Sequence, residues 1–65
     1  MNEIVHTKGW TFFPSYRFNG RYWEGAVAVR YSDVRMEHVC IDEHLHPADA
    51  LDDAVHDALV MAAIV

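Results

Sequence analysis

Cysteine is nearly absent from this chain, which limits how so short a protein can be stabilised. Cys40 is the single cysteine among 65 residues, so no disulfide can form within the chain. No spacing of Cys and His residues matches a structural zinc site. A chain of this length buries a smaller fraction of its surface than a longer one does. We therefore expect oligomerisation or partner binding to supplement a small core.

Long apolar runs are also missing. No run reaches the roughly 20 residues that a membrane-spanning helix needs, and residues 1–8 lack the apolar segment of a signal peptide. Together with the scarcity of cysteine, these features predict a cytoplasmic protein that has no membrane partner.

Lysine and arginine are missing from the second half of the chain. Residues 1–35 hold five basic and three acidic side chains, a net charge of +2, whereas residues 36–65 hold seven acidic side chains and no Lys or Arg, a net charge of −7. Phosphate contacts require Lys or Arg, so direct binding of nucleic acid by this half is unfavourable. An acidic surface favours a basic protein partner, although the same charge also supports solubility alone.

The clearest feature that is present is a hairpin over residues 10–31. Two apolar-rich segments flank Asn19 and Gly20, a dipeptide typical of a two-residue type I′ turn, because both residues tolerate positive φ. Such a turn places Pro14 opposite Gly25. Since Pro cannot donate to a strand ladder, we expect a bend at this pair and an edge position for the first strand.

A helix is predicted over residues 47–64. Pro47 suits the first helical position, and aspartates follow it in the opening turns, where the helix dipole favours carboxylates. Apolar side chains recur every three or four positions, which predicts a stripe that packs on the sheet. The stripe consists of Ala48, Leu51, Val55, Ala58, Leu59 and Ala62.

These elements define an α+β fold of the βββα type. A short turn after the hairpin leads to a third strand, so that residues 10–42 form a three-stranded antiparallel meander. One C-terminal helix over residues 47–64 packs across one face of this sheet. The chain is predicted to be a single domain, residues 1–65, in which residues 1–9 form a loose N-terminal arm.

The helix face opposite the apolar stripe is the predicted partner-binding site. Acidic side chains and one histidine stand there at helical spacings and form a ridge about 12 Å long. Such a ridge can match a basic groove on a protein partner, and protonation of its histidine would weaken the negative field. Its members are Asp49, Asp52, Asp53, His56 and Asp57.

The sheet face that the helix leaves uncovered is expected to carry residual apolar side chains. They predict a homodimer or another contact through this second face, made by Phe13, Tyr22, Ala26, Ala28, Val39 and Ile41. The helix end, residues 58–65, has no polar side chain and also favours a homodimer, so the sheet face, an edge strand and the helix end are alternative dimer contacts. Arginines are predicted to lie near the apolar side chains of this second face. The alternative function is therefore a small nucleic-acid-binding module that uses Arg17, Arg30, Arg35 and Tyr22.

Residue types that bind metals alternate along the third strand and beyond its end, at His38, Cys40, Asp42, His44 and His46. Their chemistry suits zinc, copper or nickel. Neighbouring ligands along one straight strand cannot close a tetrahedral site, however, so we predict neither a metal nor another cofactor. Cys40 beside a histidine lacks a third orienting group and a glycine-rich oxyanion turn, so we predict no catalytic residue and no enzyme activity.

Three segments carry a resemblance to a known family: Arg21-Tyr22-Trp23-Glu24, then Cys40-Ile41, then Pro47-Ala48-Asp49-Ala50-Leu51-Asp52-Asp53-Ala54. In this order, with the hairpin and the acidic helix, they resemble the N-terminal domain of HicB-type antitoxins. The resemblance implies a small module that covers a basic toxin ribonuclease. That family usually has a Pro-Asp-Leu-Pro-Gly-like segment where this chain has Val29-Arg30-Tyr31-Ser32-Asp33. Small acidic phage inhibitors such as anti-CRISPR proteins are similar in size and charge.

Charge, length and this resemblance lead to one functional hypothesis. The chain is expected to be a non-enzymatic, acidic protein-interaction module with a basic protein partner. It would inhibit or regulate a nucleic-acid-binding or nucleic-acid-processing protein by occluding its basic surface, as an antitoxin or a phage inhibitor does.

Overall fold

The computed structural model describes residues 3–65; Met1 and Asn2, the first residues of the expected loose arm, lie outside the described part. The described residues form strands β1 (Val5–Thr7), β2 (Trp10–Phe18), β3 (Trp23–Tyr31) and β4 (Val34–His44), followed by helix α1 (Pro47–Ile64). The strands make one antiparallel sheet in the order β1-β2-β3-β4, and α1 packs across one of its faces. The predicted α+β class and the helix bounds are therefore confirmed.

The sheet has four strands, so the prediction of three was wrong. Part of the segment assigned to a loose arm pairs with β2, with Val5 opposite Phe12. Lys8 and Gly9 both have positive φ, 50° and 82°, and reverse the chain in two residues. A three-residue strand carries too little periodicity to be recognised in a sequence.

The turn between β2 and β3 contains four residues and not the predicted two, because Phe18 pairs with Trp23. Asn19 stabilises the longer turn through its side chain. Its Oδ1 accepts hydrogen bonds from the backbone N–H groups of Arg21 and Tyr22, at 3.0 and 2.8 Å. This is the local bonding for which Asn is favoured in turns. The register shifts by two residues, so every side chain keeps its predicted face but has a different partner.

Pro14 consequently lies opposite Val27 and not opposite Gly25. The predicted edge position is correct only in part. β1 covers β2 as far as Phe12, so β2 is internal there and becomes the edge of the sheet at Pro14. A residue without a backbone N–H is tolerated at such a position because no neighbouring strand requires it.

The core lies between α1 and the middle of the sheet. The largest fully buried side chains on the sheet are Phe12, Val27 and Pro14, each less than 2% exposed. Phe12 and Val27 form one cluster with Val29, Cys40, Ala54 and Ala58. Burial of so few large side chains gives a small core, as the length of the chain predicts.

The helix is rotated relative to the prediction. Its fully buried side chains are Ala50, Ala54 and Ala58, spaced four residues apart, whereas Leu59 is 53% exposed. The reason is the close approach of α1 to Gly25, where an added Cβ would lie 2.5 Å from the Ala50 carbonyl oxygen. Only small side chains fit so narrow a gap, so the predicted stripe was wrong, and Ala58 alone of its six members is fully buried.

The first half of β4 pairs regularly with β3, with Val27 opposite His38. A bulge follows, after which Glu24 lies opposite Glu43. Cys40 still faces the helix and is buried. His38 and His44, on either side of Cys40 in the strand, are half-buried and also contact α1. Among residues 3–65, no helix is long and apolar enough to cross a membrane.

Candidate functional site

Two histidines of β4 are hydrogen-bonded to two aspartates of α1. His38 Nε2 lies 2.9 Å from Asp57 Oδ2, and His44 Nε2 lies 3.1 Å from Asp53 Oδ2. Strand residues separated by an even number of positions point to the same face, and helix residues four positions apart lie on the same side. Both pairs therefore lie along one boundary between β4 and α1, which we call the β4–α1 seam. All four side chains are half-buried. The seam is therefore a polar border of the core that water reaches only in part.

Cys40 lies on the same face of β4, between the two histidines in sequence, and is 4% exposed. Burial, reinforced by the hydrogen bond of the thiol to Asp57, raises the pKa of Cys40 to about 12. The thiol is therefore protonated at neutral pH and is a poor nucleophile in this state.

Asp57 accepts hydrogen bonds from two neighbours. Burial is the largest single influence on its carboxyl group and opposes ionisation. The hydrogen bonds from His38 and Cys40 outweigh burial, so the pKa of Asp57 lies below its usual value of 3.8. Asp57 is therefore a carboxylate at neutral pH.

The three side chains form a compact group, the His38–Cys40–Asp57 cluster. One nitrogen, one sulfur and one oxygen atom lie within 4.8 Å of one another. A cavity of about 220 Å³ opens beside the cluster and is lined by His38, Asp57, Val60 and Met61. The sequence identified the two donors on β4 but assigned Asp57 to a solvated ridge. The missing information was the rotation of α1.

The five acidic-ridge residues divide into two groups. Asp53 and Asp57 are half-buried in the seam, where they bind histidines. Asp49, Asp52 and His56 are exposed and stand at positions i, i+3 and i+7. These three form one line along the solvent side of α1, which we call the outer acidic row.

The six residues predicted for the second-face contact have different environments. Phe13 is half-buried, Ala26 is 3% exposed, and Val39 and Ile41 are 37% and 94% exposed. Ala28 is exposed. Tyr22 lies in the β2–β3 turn, before β3 begins, with the Arg21 guanidinium 5.7 Å from the centre of its ring.

The arginines of the sheet also differ. Arg17 is held by Glu24 and Glu37, at 2.9 and 3.0 Å. Arg30 and Arg35 lie directly opposite each other on β3 and β4, and neither forms an ion pair with any described residue of the chain. Like charges in opposed positions repel each other and attract an anion.

An apolar groove of about 430 Å³ lies between the C-terminal end of α1 and the sheet. Its apolar lining includes Trp10, Phe12, Val29, Met36, Met61 and Ile64. The close packing at the beginning of α1 therefore does not continue to its end.

Comparisons of the chain with protein-family models, with curated proteins and with solved structures found no match. The geometry and charge of the sites described above are therefore the basis for any functional conclusion.

Proposed function

We propose that this chain is a non-enzymatic, acidic protein-interaction module that acts in the cytoplasm. It inhibits or regulates a basic nucleic-acid-binding or nucleic-acid-processing protein by occluding that protein's surface, in the manner of an antitoxin or a phage inhibitor. The observation that supports this proposal best is the outer acidic row, in which Asp49 and Asp52 are exposed on a helix without any Lys or Arg.

The charges around this row are not compensated. Asp42 and Glu43 are exposed at the end of β4, two residues before the turn into α1. Their sequence neighbourhood, residues 36–65, contains seven acidic side chains and no Lys or Arg. A surface of one sign accelerates the encounter with a surface of the opposite sign and excludes partners of like charge.

Charge reversal tests this use of the row. The Asp49→Lys/Asp52→Lys protein is compared with a matched control, Glu3→Lys/Asp33→Lys, which makes the same change in net charge at exposed acids outside α1. Each protein is immobilised and exposed to nuclease-treated lysate of the native host. We expect the wild type and the control to retain the same basic protein and the row variant to lose it.

The captured protein is then purified and its binding to nucleic acid is measured with and without the wild-type chain. Competition between the chain and nucleic acid supports occlusion. Equal capture by all three proteins, or binding of the captured protein and nucleic acid at the same time, would contradict the proposal.

A second candidate function is supported by the opposed arginines. Arg30 and Arg35 lie without acidic partners among the described residues, and Phe13 shares with them a cavity of about 230 Å³ on the uncovered face of the sheet. Arginine with an aromatic ring suits a single-stranded nucleic acid. This reading predicts salt-sensitive binding of an RNA or DNA oligonucleotide that Arg30→Glu/Arg35→Glu abolishes. Arg17 is already paired with Glu24 and Glu37, so Arg17→Gln should reduce this binding less.

We also propose a homodimer formed through the second face. Ile41 is the most exposed large apolar side chain on that face, and Val39 lies two residues away. β4 is an edge strand, which adds unpaired backbone groups beside these side chains. A dimer would cover both.

A further inference from the structure

We propose that the His38–Cys40–Asp57 cluster binds one zinc ion, with the fourth position open to water or to a ligand atom of a partner. The donors come from two elements: His38 and Cys40 from one face of β4, and Asp57 from the flank of α1 that packs against it. The helix supplies the ligand that a single strand lacks, so the geometric objection to a site along β4 no longer applies.

The spacing of the donors fits a tetrahedral ion. Zn–N and Zn–O bonds of about 2.0 Å and a Zn–S bond of about 2.3 Å require donor atoms to stand roughly 3.3 to 3.6 Å apart. His38 Nε2 and Asp57 Oδ2 are 2.9 Å apart, and all three donors lie within 4.8 Å. The His38–Asp57 pair must open by roughly 0.4 Å and the most distant donor pair must close by up to roughly 1.2 Å, movements that side-chain rotation can supply.

The donor set selects among metal ions. One imidazole nitrogen, one sulfur and one carboxylate oxygen suit a borderline ion such as zinc, whereas calcium and magnesium prefer oxygen ligands alone. Three protein ligands leave one position open, and the cavity of about 220 Å³ beside His38 and Asp57 gives the ion and a fourth ligand access to it.

Binding exchanges protons for metal. In the metal-free chain the Cys40 thiol keeps its proton and donates a hydrogen bond to the Asp57 carboxylate, and zinc replaces that proton on sulfur. The thiolate–zinc bond forms as the S–H bond breaks, and one proton leaves to solvent for each thiol ligated. Affinity is therefore expected to rise with pH.

The second pair in the seam provides an internal control. His44 and Asp53 have the same residue types, similar burial and a similar hydrogen bond, 3.1 Å, but no cysteine stands with them. Replacing them tests whether any polar change in the seam disturbs metal binding.

The experiment is a cobalt(II) titration of the full chain without a polyhistidine tag, followed by displacement with zinc. Cobalt reports its ligands, because a thiolate ligand gives a near-ultraviolet charge-transfer band and a tetrahedral site gives intense visible bands. We expect saturation at one ion per chain for the wild type. Cys40→Ser should lose the charge-transfer band, and Asp57→Asn should weaken binding at least about tenfold. His44→Gln/Asp53→Asn should bind as the wild type does.

Circular dichroism establishes that each variant is folded, and His38→Gln replaces any variant that is not. Proton release measured in weakly buffered solution gives a second readout, because zinc binding to the wild type liberates a proton that Cys40→Ser retains. Absence of saturable binding, a cobalt spectrum without the thiolate band, or equal affinity of Asp57→Asn and the wild type would overturn the proposal.

Discussion

At the scale of single residues, Asp57 links the sheet to the helix through its charge. Its carboxylate accepts hydrogen bonds from His38 and Cys40, and its pKa is lowered even though burial, the largest influence, acts to raise it. A carboxyl group whose pKa is lower in the folded state than in the unfolded chain stabilises the fold. The full effect is present at pH values above the pKa of the unfolded chain. This stabilisation disappears as the pH falls through the pKa of the folded state.

We therefore predict that Asp57→Asn destabilises the fold by about 1 kcal/mol near pH 6, a modest value because the pair is half-exposed. The difference from the wild type should shrink below pH 3.8, the usual pKa, and vanish in stronger acid. Urea unfolding from pH 6 to pH 2 measures it. Asp52→Asn, at an exposed position, is the control, and its difference in unfolding free energy from the wild type should not change with pH. A difference for Asp57→Asn that stays constant with pH would show that the ionised Asp57 carboxylate does not stabilise the fold.

Asn19 offers a second prediction at this scale. Its Oδ1 accepts two backbone hydrogen bonds in the β2–β3 turn, and its Nδ2 donates to Glu43 at 2.9 Å. Asn19→Ala should lower the free energy of unfolding by about 1 kcal/mol, because the turn loses its acceptor. Asn19→Asp keeps the acceptor but places a second carboxylate beside that of Glu43. The two negative charges repel each other, so added salt should restore most of the variant's stability. Equal urea midpoints for Asn19→Ala and the wild type would rule out this role.

At the scale of elements, Gly25 determines how closely α1 approaches β3. A Cβ there would stand 2.5 Å from the Ala50 carbonyl oxygen and 3.1 Å from the Ala54 Cβ. The obstacle is backbone, which cannot rotate away. One missing methyl group therefore sets the distance between the two layers at this point.

Gly25→Ala should accordingly cost about 1 to 3 kcal/mol, as overpacking does. Ala28→Val adds bulk on the exposed side of the same strand and should change stability by less than about 0.5 kcal/mol. Thermal or urea unfolding followed by circular dichroism compares the two. A neutral Gly25→Ala variant would mean that the helix shifts without loss of packing.

The same contact explains what the sequence could and could not predict. The helix bounds, the faces of the strands and the shared face of His38 and Cys40 follow from local patterns. The rotation of α1 does not, because the contact with Gly25 selects alanines over larger apolar residues such as Leu59. Asp57 turns towards β4 as a result. The incorrect stripe and the unrecognised cluster thus have one physical cause.

At the scale of the whole molecule, the proposed homodimer leads to a direct measurement. The wild type should scatter light as a dimer at micromolar concentration. Ile41→Glu, at a side chain 94% exposed on the second face, should give a monomer, because burying an unpaired charge in an interface is unfavourable. Leu59→Glu, on the exposed side of α1 at 53%, is the control and should stay dimeric. A monomeric wild type would exclude the dimer.

The order of the strands in the sheet also has a consequence for how the chain reaches its folded state. Each strand pairs with the next one in sequence, across turns of two or four residues, so the sheet grows in the order of synthesis. Such local pairing favours rapid folding. Helix α1 follows β4 in sequence, and Asp57 meets Cys40 only when the helix docks. Until the helix docks, the Cys40 thiol is exposed to solvent. It becomes buried only when α1 packs against the sheet.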